Sequence, residues 1–282
     1  MPSFEETHIK LDDGYEAYAR YWPRPGCSEA VLHLHGIQSH AGWYELTAAA
    51  LNDAGYAVLQ PDRRGSGKNS QARGHADSSP QLIEDGLQYA KHLAEISGTD
   101  RIHLVGVSWG GKLSAAMHVT DPKRFASLSL IAPGIYPIIS VSNAEKFRIG
   151  FSMISEPTRS YDIPLNDPEL FTDQPEYIEY LKNDPIQLHQ ATAGFYLASR
   201  RMDKVVAKIT KAPPVPLHMF LAGDERIIDN ERSRELVRSL NWPNTRISTY
   251  EKSRHTLEFG PQRDEFLKDL VAWVSNPKSN TI

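Results

Sequence analysis

The 282-residue chain holds a single cysteine, Cys27, and so can close no disulfide within itself. That thiol sits in the polar turn "RPGCSEA", a poor setting for a nucleophile. Cationic excess is also missing: 31 Lys and Arg stand against 35 Asp and Glu, a net charge of −4. Nucleic-acid binding, which needs clustered Lys and Arg, has no electrostatic basis here. No long apolar run is present. The most apolar stretch, Leu128 to Val141, is interrupted by Pro133, Gly134 and Pro137, so no transmembrane segment is expected. The opening residues, "MPSFEETHIKLDDG", have no basic segment followed by an apolar one, which makes a secretory signal unexpected and a cytoplasmic location the expectation. Internal repeats and low-complexity tracts are absent. His33 and His35 alternate on one strand face, but no third ligand cluster has metal spacing, so no metal is expected.

What is present is an ordinary globular composition, 40% hydrophobic and 23% charged, in which short apolar runs alternate with helical stretches. "HIKLDDGYEAYARYW" suggests a hairpin around Asp13-Gly14. The runs "AVLHLHG", "YAVLQPD", Ile102–Val105 and Ser127–Ile131 suggest buried parallel strands, with helices over Trp43–Asn52, over Gln81–Ile96 and from the turn after Val105 to Thr120. The rhythm lapses between Gly134 and Pro214, where Ala144–Ile154, Pro175–Asn183 and Ile186–Asp203 have helical spacing between proline-marked loops. It returns with "VPLHMFLAG", a helix through Leu240, "TRISTYE" and a last helix, Arg263–Val274. The expected architecture is an α/β core, residues 1–133 and 215–282, with a mostly parallel central sheet covered by helices on both faces and a helical cap, residues 134–214, inserted in it.

One turn concentrates the chemistry. Gly106 to Lys112 spells GxxxxGK, most of a phosphate-binding loop, and Gly106 to Gly110 spells GxSxG, the turn that exposes a nucleophilic serine. A phosphate loop needs Ser or Thr directly after its lysine; Leu113 stands there, and Ser114 would lie about 100° around the helix. The serine reading needs a general base and an orienting carboxylate further along the chain, in the order Ser, acid, His. "FLAGDERIIDN" puts carboxylates just after one strand, and "RHTLEFG" puts His255 just after the next. The order and the placement at strand ends favour the nucleophilic serine.

At this point the chain resembles the α/β-hydrolase superfamily, particularly its monoglyceride-lipase-like and serine-aminopeptidase-like branch. The segments "LHGIQSHAGWY", "GYAVLQPDRRGSGKN", "GVSWGGK", "LAGDERIIDN" and "RHTLEFG" carry the resemblance in order over nearly the whole chain. It implies the α/β-hydrolase fold, Ser108 as nucleophile, His255 as base, and an oxyanion hole made by the backbone N–H groups of Ile37 and Trp109. The family's usual acid is an Asp two residues after the loop glycine; Glu225 stands there, with Asp224 and Asp229 as alternatives. Asp229 has a competing role as the cap of a helix beginning near Asn230.

The resemblance implies a serine ester hydrolase that acts through an acyl-enzyme on monoacylglycerol-like or other small lipid esters and needs no cofactor. The expected partner is a small-molecule ester. An aminopeptidase on the same scaffold and a non-enzymatic binding protein are the alternatives. The peptidase would need a carboxylate cluster for the substrate amine, and Glu145, Glu156, Asp162, Glu176 and Glu179 lie in the cap stretch. Phe147, Phe151 and Ile154, beside Ile149 and Met153, are candidates for an acyl pocket or for packing of the cap on the sheet. Trp43 and Tyr44 suit helix-start packing or substrate contact. His35 is expected to bond within its loop and orient the oxyanion backbone. "DRRGSGKN", with Arg63 and Arg64, is either a structural turn or an anion nest.

Overall fold

The computed structural model describes residues 3–277. Strand β1 (Glu5–Lys10) turns at Asp13-Gly14 into β2 (Glu16–Trp22), followed by β3 (Ala30–Leu34), helix α1 (Glu45–Asp53), β4 (Ala57–Pro61), α2 (Ser79–Ser97), β5 (Ile102–Val107), α3 (Trp109–Thr120) and β6 (Phe125–Ile131). An insertion then carries α4 (Asn143–Ser155), β7 (Ser160–Asp162), α5 (Pro175–Lys182), β8 (Gln190–Thr192) and α6 (Ala193–Val206). The core closes with β9 (Leu217–Ala222), α7 (Asn230–Leu240), β10 (Thr245–Tyr250) and α8 (Arg263–Ser275).

Eight strands form one sheet in the order β1-β2-β4-β3-β5-β6-β9-β10. The β1–β2 and β2–β4 pairings are antiparallel and every other pairing is parallel. Strands covered on both faces read as near-continuous apolar runs, and β3, β4, β5 and β9 are buried at every position, with His33, Gln60, His103 and His218 the polar side chains among them. Parallel strands all end at the same sheet edge, so the loops after β3, β5, β9 and β10 meet there. In open α/β sheets that edge is where ligands bind.

Two expectations are corrected, and one further element was not foreseen. The helix expected from Trp43 begins instead with a tight 3₁₀ turn, Ala41–Tyr44, before α1. The helix expected over Ile186–Asp203 starts only at Ala193, where Thr192 caps it by accepting a hydrogen bond from the Phe195 N–H at 3.2 Å. Ile186 lies in a turn, and β8, just before the helix, pairs antiparallel with β7, a two-stranded ribbon the periodicity did not show.

Candidate active site

The turn between β5 and α3 is built around two glycines. A Cβ on Gly110 would fall against the carbonyl oxygens of Leu34 and His35, and one on Gly106 against Ser114 and the Gly110 carbonyl. Strand and helix can therefore approach only where these residues have no side chain. Ser108, between them, is held at φ 54°, in a region a residue with a side chain seldom occupies. Its backbone is pinned on both sides: its N–H donates to Ile131 O at 2.8 Å, and its carbonyl accepts from Gly134 N at 2.7 Å and Gly111 N at 2.9 Å. The strain is held by the sheet and directs the hydroxyl outward.

That hydroxyl meets a relay. Ser108 Oγ lies 2.8 Å from His255 Nε2. On the far side of the ring, His255 Nδ1 lies 2.9 Å from Glu225 Oε2 and 3.0 Å from Oε1. With a carboxylate facing Nδ1, the proton sits on Nδ1 and leaves Nε2 free to accept from the serine. Both side chains are 2% exposed, so the pair is shielded from competing water. The Glu225 carboxylate also accepts from its own loop, from the N–H groups of Arg226 at 2.9 Å and Ile227 at 2.8 Å. These bonds fold the longer side chain back and absorb its extra methylene. Asp224 and Asp229 are engaged elsewhere: Asp224 binds Arg226 and Arg254, and Asp229 caps α7 by accepting from Arg232 N at 3.0 Å.

The loop after β3 passes over the serine. A Cβ on Gly36 would lie 3.3 Å from Ser108 Cβ. The Gly36 carbonyl shares a peptide plane with the Ile37 N–H, so whatever holds the oxygen aims the N–H the opposite way. Two groups hold it: His35 Nδ1 at 2.8 Å and Arg63 Nη1 at 3.3 Å. His35 Nε2 accepts from Arg63 N at 2.8 Å, which fixes the proton on Nδ1. Burial, reinforced by the neighbouring Arg63 charge, holds that imidazole neutral, well below the ordinary histidine range. The expectation that His35 bonds within the loop matches this geometry.

The Ile37 and Trp109 N–H groups have no partner among the described residues, and Trp109 opens α3, where the first N–H has no intrahelical acceptor. The arrangement offers a hydroxyl, a base and two free amides at one point, the set that acyl transfer needs.

Sequence reasoning missed what props this loop. Asp184, in the insertion, binds His40 Nε2 at 2.9 Å and Trp43 Nε1 at 2.7 Å, and Leu188 N donates to Gln38 O at 2.9 Å. Although burial acts to raise it, the bonds from His40 and Trp43 hold the Asp184 pKa below the usual aspartate value. Trp43 and Tyr44 are buried packing residues, and the Tyr44 hydroxyl bonds Ser39. The "DRRGSGKN" segment is a structural turn. Arg64 forks onto Asp85 with two 2.8 Å bonds and pairs with Asp13, while Arg63 is buried, bonds the carbonyls of Gly36 and Ile37, and stacks over Trp109 and Phe195. Among the described residues no three His, Cys, Asp or Glu side chains converge as a metal site would require.

Ser108, Ile37 and Trp109 open into a cavity of about 430 Å³ beneath the insertion, walled by Ile139, Val141, Met153, Phe195 and Ile228 among others. A corrected expectation concerns Phe147, Phe151 and Ile154. They are 79%, 69% and 90% exposed on the outward face of α4, and neither line the cavity nor pack the insertion on the sheet. Ile149 and Met153, one turn apart on the opposite face, do line it.

Comparison with known proteins agrees with this architecture. Residues 27–262 match the family model described as serine aminopeptidase, S33. The chain is 21% identical to a monoglyceride lipase of Rattus norvegicus over 285 residues, covering 98% of this chain and 92% of the other. The crystal structure of a monoacylglycerol lipase of Paleococcus ferrophilus superimposes with a TM-score of 0.84 at 21% identity, covering 93% of this chain and 100% of that one. A thermostable carboxyl esterase of Bacillus coagulans, solved with glycerol, gives 0.81 at 15% identity, covering 99% and 100%.

Proposed function

The chain belongs to the serine aminopeptidase S33 family and has the α/β-hydrolase fold, and from that premise we propose that it is a serine carboxylic-ester hydrolase of monoacylglycerol-like or other small lipid esters. The observation that carries this reading is the continuous relay from Ser108 Oγ through His255 to Glu225, opening at the floor of an apolar cavity. His255 Nε2 takes the serine proton as Oγ attacks the ester carbonyl, and Glu225 stabilises the imidazolium that forms. The Ile37 and Trp109 N–H groups hydrogen-bond the tetrahedral oxyanion, often the largest catalytic contribution. The proton passes to the leaving alcohol, an acyl group stays on Ser108, and water releases it by the same steps in reverse order. Residues 134–214 act as the cap that roofs the acyl chain.

The peptidase alternative is less well supported. None of Glu145, Glu156, Asp162, Glu176 and Glu179 lines the cavity, and Asp203, the carboxylate that does, is paired with Lys112. A substrate ammonium has no free carboxylate to meet there. The test is a panel of p-nitrophenyl esters of graded chain length beside aminoacyl p-nitroanilides. Turnover of the esters, with the anilides inert, is the expected result; turnover of the anilides alone would overturn the proposal. Fluorophosphonate labelling of the wild type, lost in Ser108→Ala, is the accompanying check on the nucleophile.

A further inference from the structure

One corner of the cavity is not apolar. Lys112 lies on α3 one turn beyond Ser108, buried, with Nζ 2.5 Å from Asp203 Oδ1 and 3.2 Å from Ser199 Oγ, both on α6. The indole Nε1–H of Trp109 also donates to Ser199 Oγ, at 2.9 Å. Ser199 Oγ therefore receives two donors and has both lone pairs filled. Its own O–H must donate, and no described residue accepts it. An ammonium carries three N–H donors, of which Lys112 uses two here. Lys146 and Arg200 line the same cavity from exposed positions, and neither side chain has an ion-pair partner among the described residues. The cavity is thus lined by three cations against one carboxylate, Asp203, and that carboxylate is half exposed.

This is a donor-rich corner beside a nucleophile, in a pocket whose remaining walls are mostly apolar. A neutral acylglycerol could meet these donors only with hydroxyl and carbonyl oxygens, in neutral hydrogen bonds. An anion would accept from all of them, in charge-assisted bonds that are stronger than neutral ones. Burial lowers the Lys112 pKa while Asp203 acts to raise it, so an arriving anion would also favour the charged lysine.

We propose that this corner, made by Lys112 and Ser199 with Lys146 and Arg200 at its rim, receives a carboxylate carried by the substrate, and that the preferred substrates are esters bearing a free carboxylate, such as half-esters of aliphatic dicarboxylic acids. The inference rests on the ester-hydrolase reading for its reaction but not for its binding site, and the experiment keeps the two apart. The kcat/KM of the wild type is compared for p-nitrophenyl hydrogen adipate and p-nitrophenyl methyl adipate, which differ by one charge and one methyl group. In parallel, calorimetry compares monomethyl adipate with dimethyl adipate on Ser108→Ala protein. The acid is expected to be favoured by roughly tenfold or more in both measurements, the scale of one or two charge-assisted hydrogen bonds. The preference should shrink as salt is raised.

The exposed double variant Lys146→Gln/Arg200→Gln should narrow the ratio severalfold, and Lys112→Met should narrow it further, with melting temperature as the folding control. Equal or better use of the neutral diester, or a ratio untouched in both variants, overturns the proposal. If neither ester is hydrolysed, the ester-hydrolase reading fails, while the calorimetric ratio still decides the corner.

Discussion

Glu225 faces His255 with both carboxylate oxygens, at 2.9 and 3.0 Å from Nδ1, while the adjacent Asp224 turns to the surface and is gripped by Arg226 and Arg254. Neighbours in sequence therefore have separate tasks. Glu225→Gln removes the negative charge that stabilises the imidazolium and should lower kcat on one ester by roughly 10³- to 10⁴-fold, with the melting temperature nearly unchanged. Asp224→Asn loosens surface ion pairs with Arg226 and Arg254 and should leave kcat within about twofold of wild type. Asp229→Asn should do the same, because Asn caps a helix nearly as well as Asp. A dead Asp224→Asn beside an active Glu225→Gln would reverse the assignment.

The two faces of α4 make a second test. Met153 lines the cavity, so Met153→Ala should lengthen the preferred acyl chain, each added methylene being worth about 0.8 kcal/mol, or roughly fourfold in kcat/KM. Phe147→Ala and Phe151→Ala remove side chains that stand in solvent, so the chain-length profile should stay as it was and stability should move by about 0.5 kcal/mol or less. A profile of esters from four to sixteen carbons on the three variants gives the answer. A shift in Phe151→Ala with none in Met153→Ala would place the acyl chain outside the cavity.

The two faces of α4 differ in how far the sequence alone foretells them. The Ser108 turn was legible because its proposed chemistry and its sterics use the same residues: GxSxG names the serine and the glycines that let β5 and α3 close. His255 was legible from its place after a strand. The inward face of α4 was not. Ile149 and Met153 are four apart, and Phe147, Phe151 and Ile154 are also spaced by four and three, so both sets satisfy helical periodicity and only the docking of the inserted segment chooses between them. The β7–β8 ribbon was hidden for a similar reason, since each strand is three residues long and stable only when paired with the other. The Asp184 brace joins residues more than 140 positions apart, and no local pattern reports such a contact.

Arg63 supplies a third prediction. Its guanidinium is buried with no carboxylate partner among the described residues, and burial pulls its pKa down to about 10. It bonds Gly36 O, on the peptide whose N–H belongs to Ile37, and stacks over the Trp109 ring at 4.7 Å. It is a positioning residue for both proposed oxyanion donors. Arg63→Met should lower kcat by roughly 10- to 100-fold, less than outright removal of an oxyanion donor, with KM little changed. Arg63→Lys should recover part of the loss, since an ammonium can reach one carbonyl but cannot fork across two. Titrating active sites with a fluorophosphonate separates positioning from folding: reduced kcat per labelled site supports positioning, whereas fewer sites at normal kcat would mean that Arg63 only holds the fold.

The last prediction concerns Glu258, three residues after His255. Its carboxylate accepts from Leu46 N at 2.8 Å, Thr47 N at 3.2 Å and the Thr47 hydroxyl, and so caps the N-terminus of α1 from across the fold. Burial pushes its pKa up and the three hydrogen bonds push it down; burial wins, leaving it at about 7 against an ordinary 4.5. A folded-state pKa above the unfolded one means that the folded protein holds the proton more tightly. The associated stability is fully present below about pH 4.5 and is lost as pH rises through 7. A shift of that size corresponds to about 3 kcal/mol over the window. Glu258→Gln keeps the shape but cannot ionise, and its amide N–H₂ faces a backbone donor, so it should be less stable than wild type near pH 5. The gap should then close by about 3 kcal/mol towards pH 8, as the wild type buries a charge the variant lacks. Urea unfolding of both proteins at half-unit steps from pH 4.5 to 8.5 measures the difference directly. A difference that stays level, or widens with pH, would show that the α1 amides keep Glu258 ionised throughout and that the hydrogen bonds outweigh the burial.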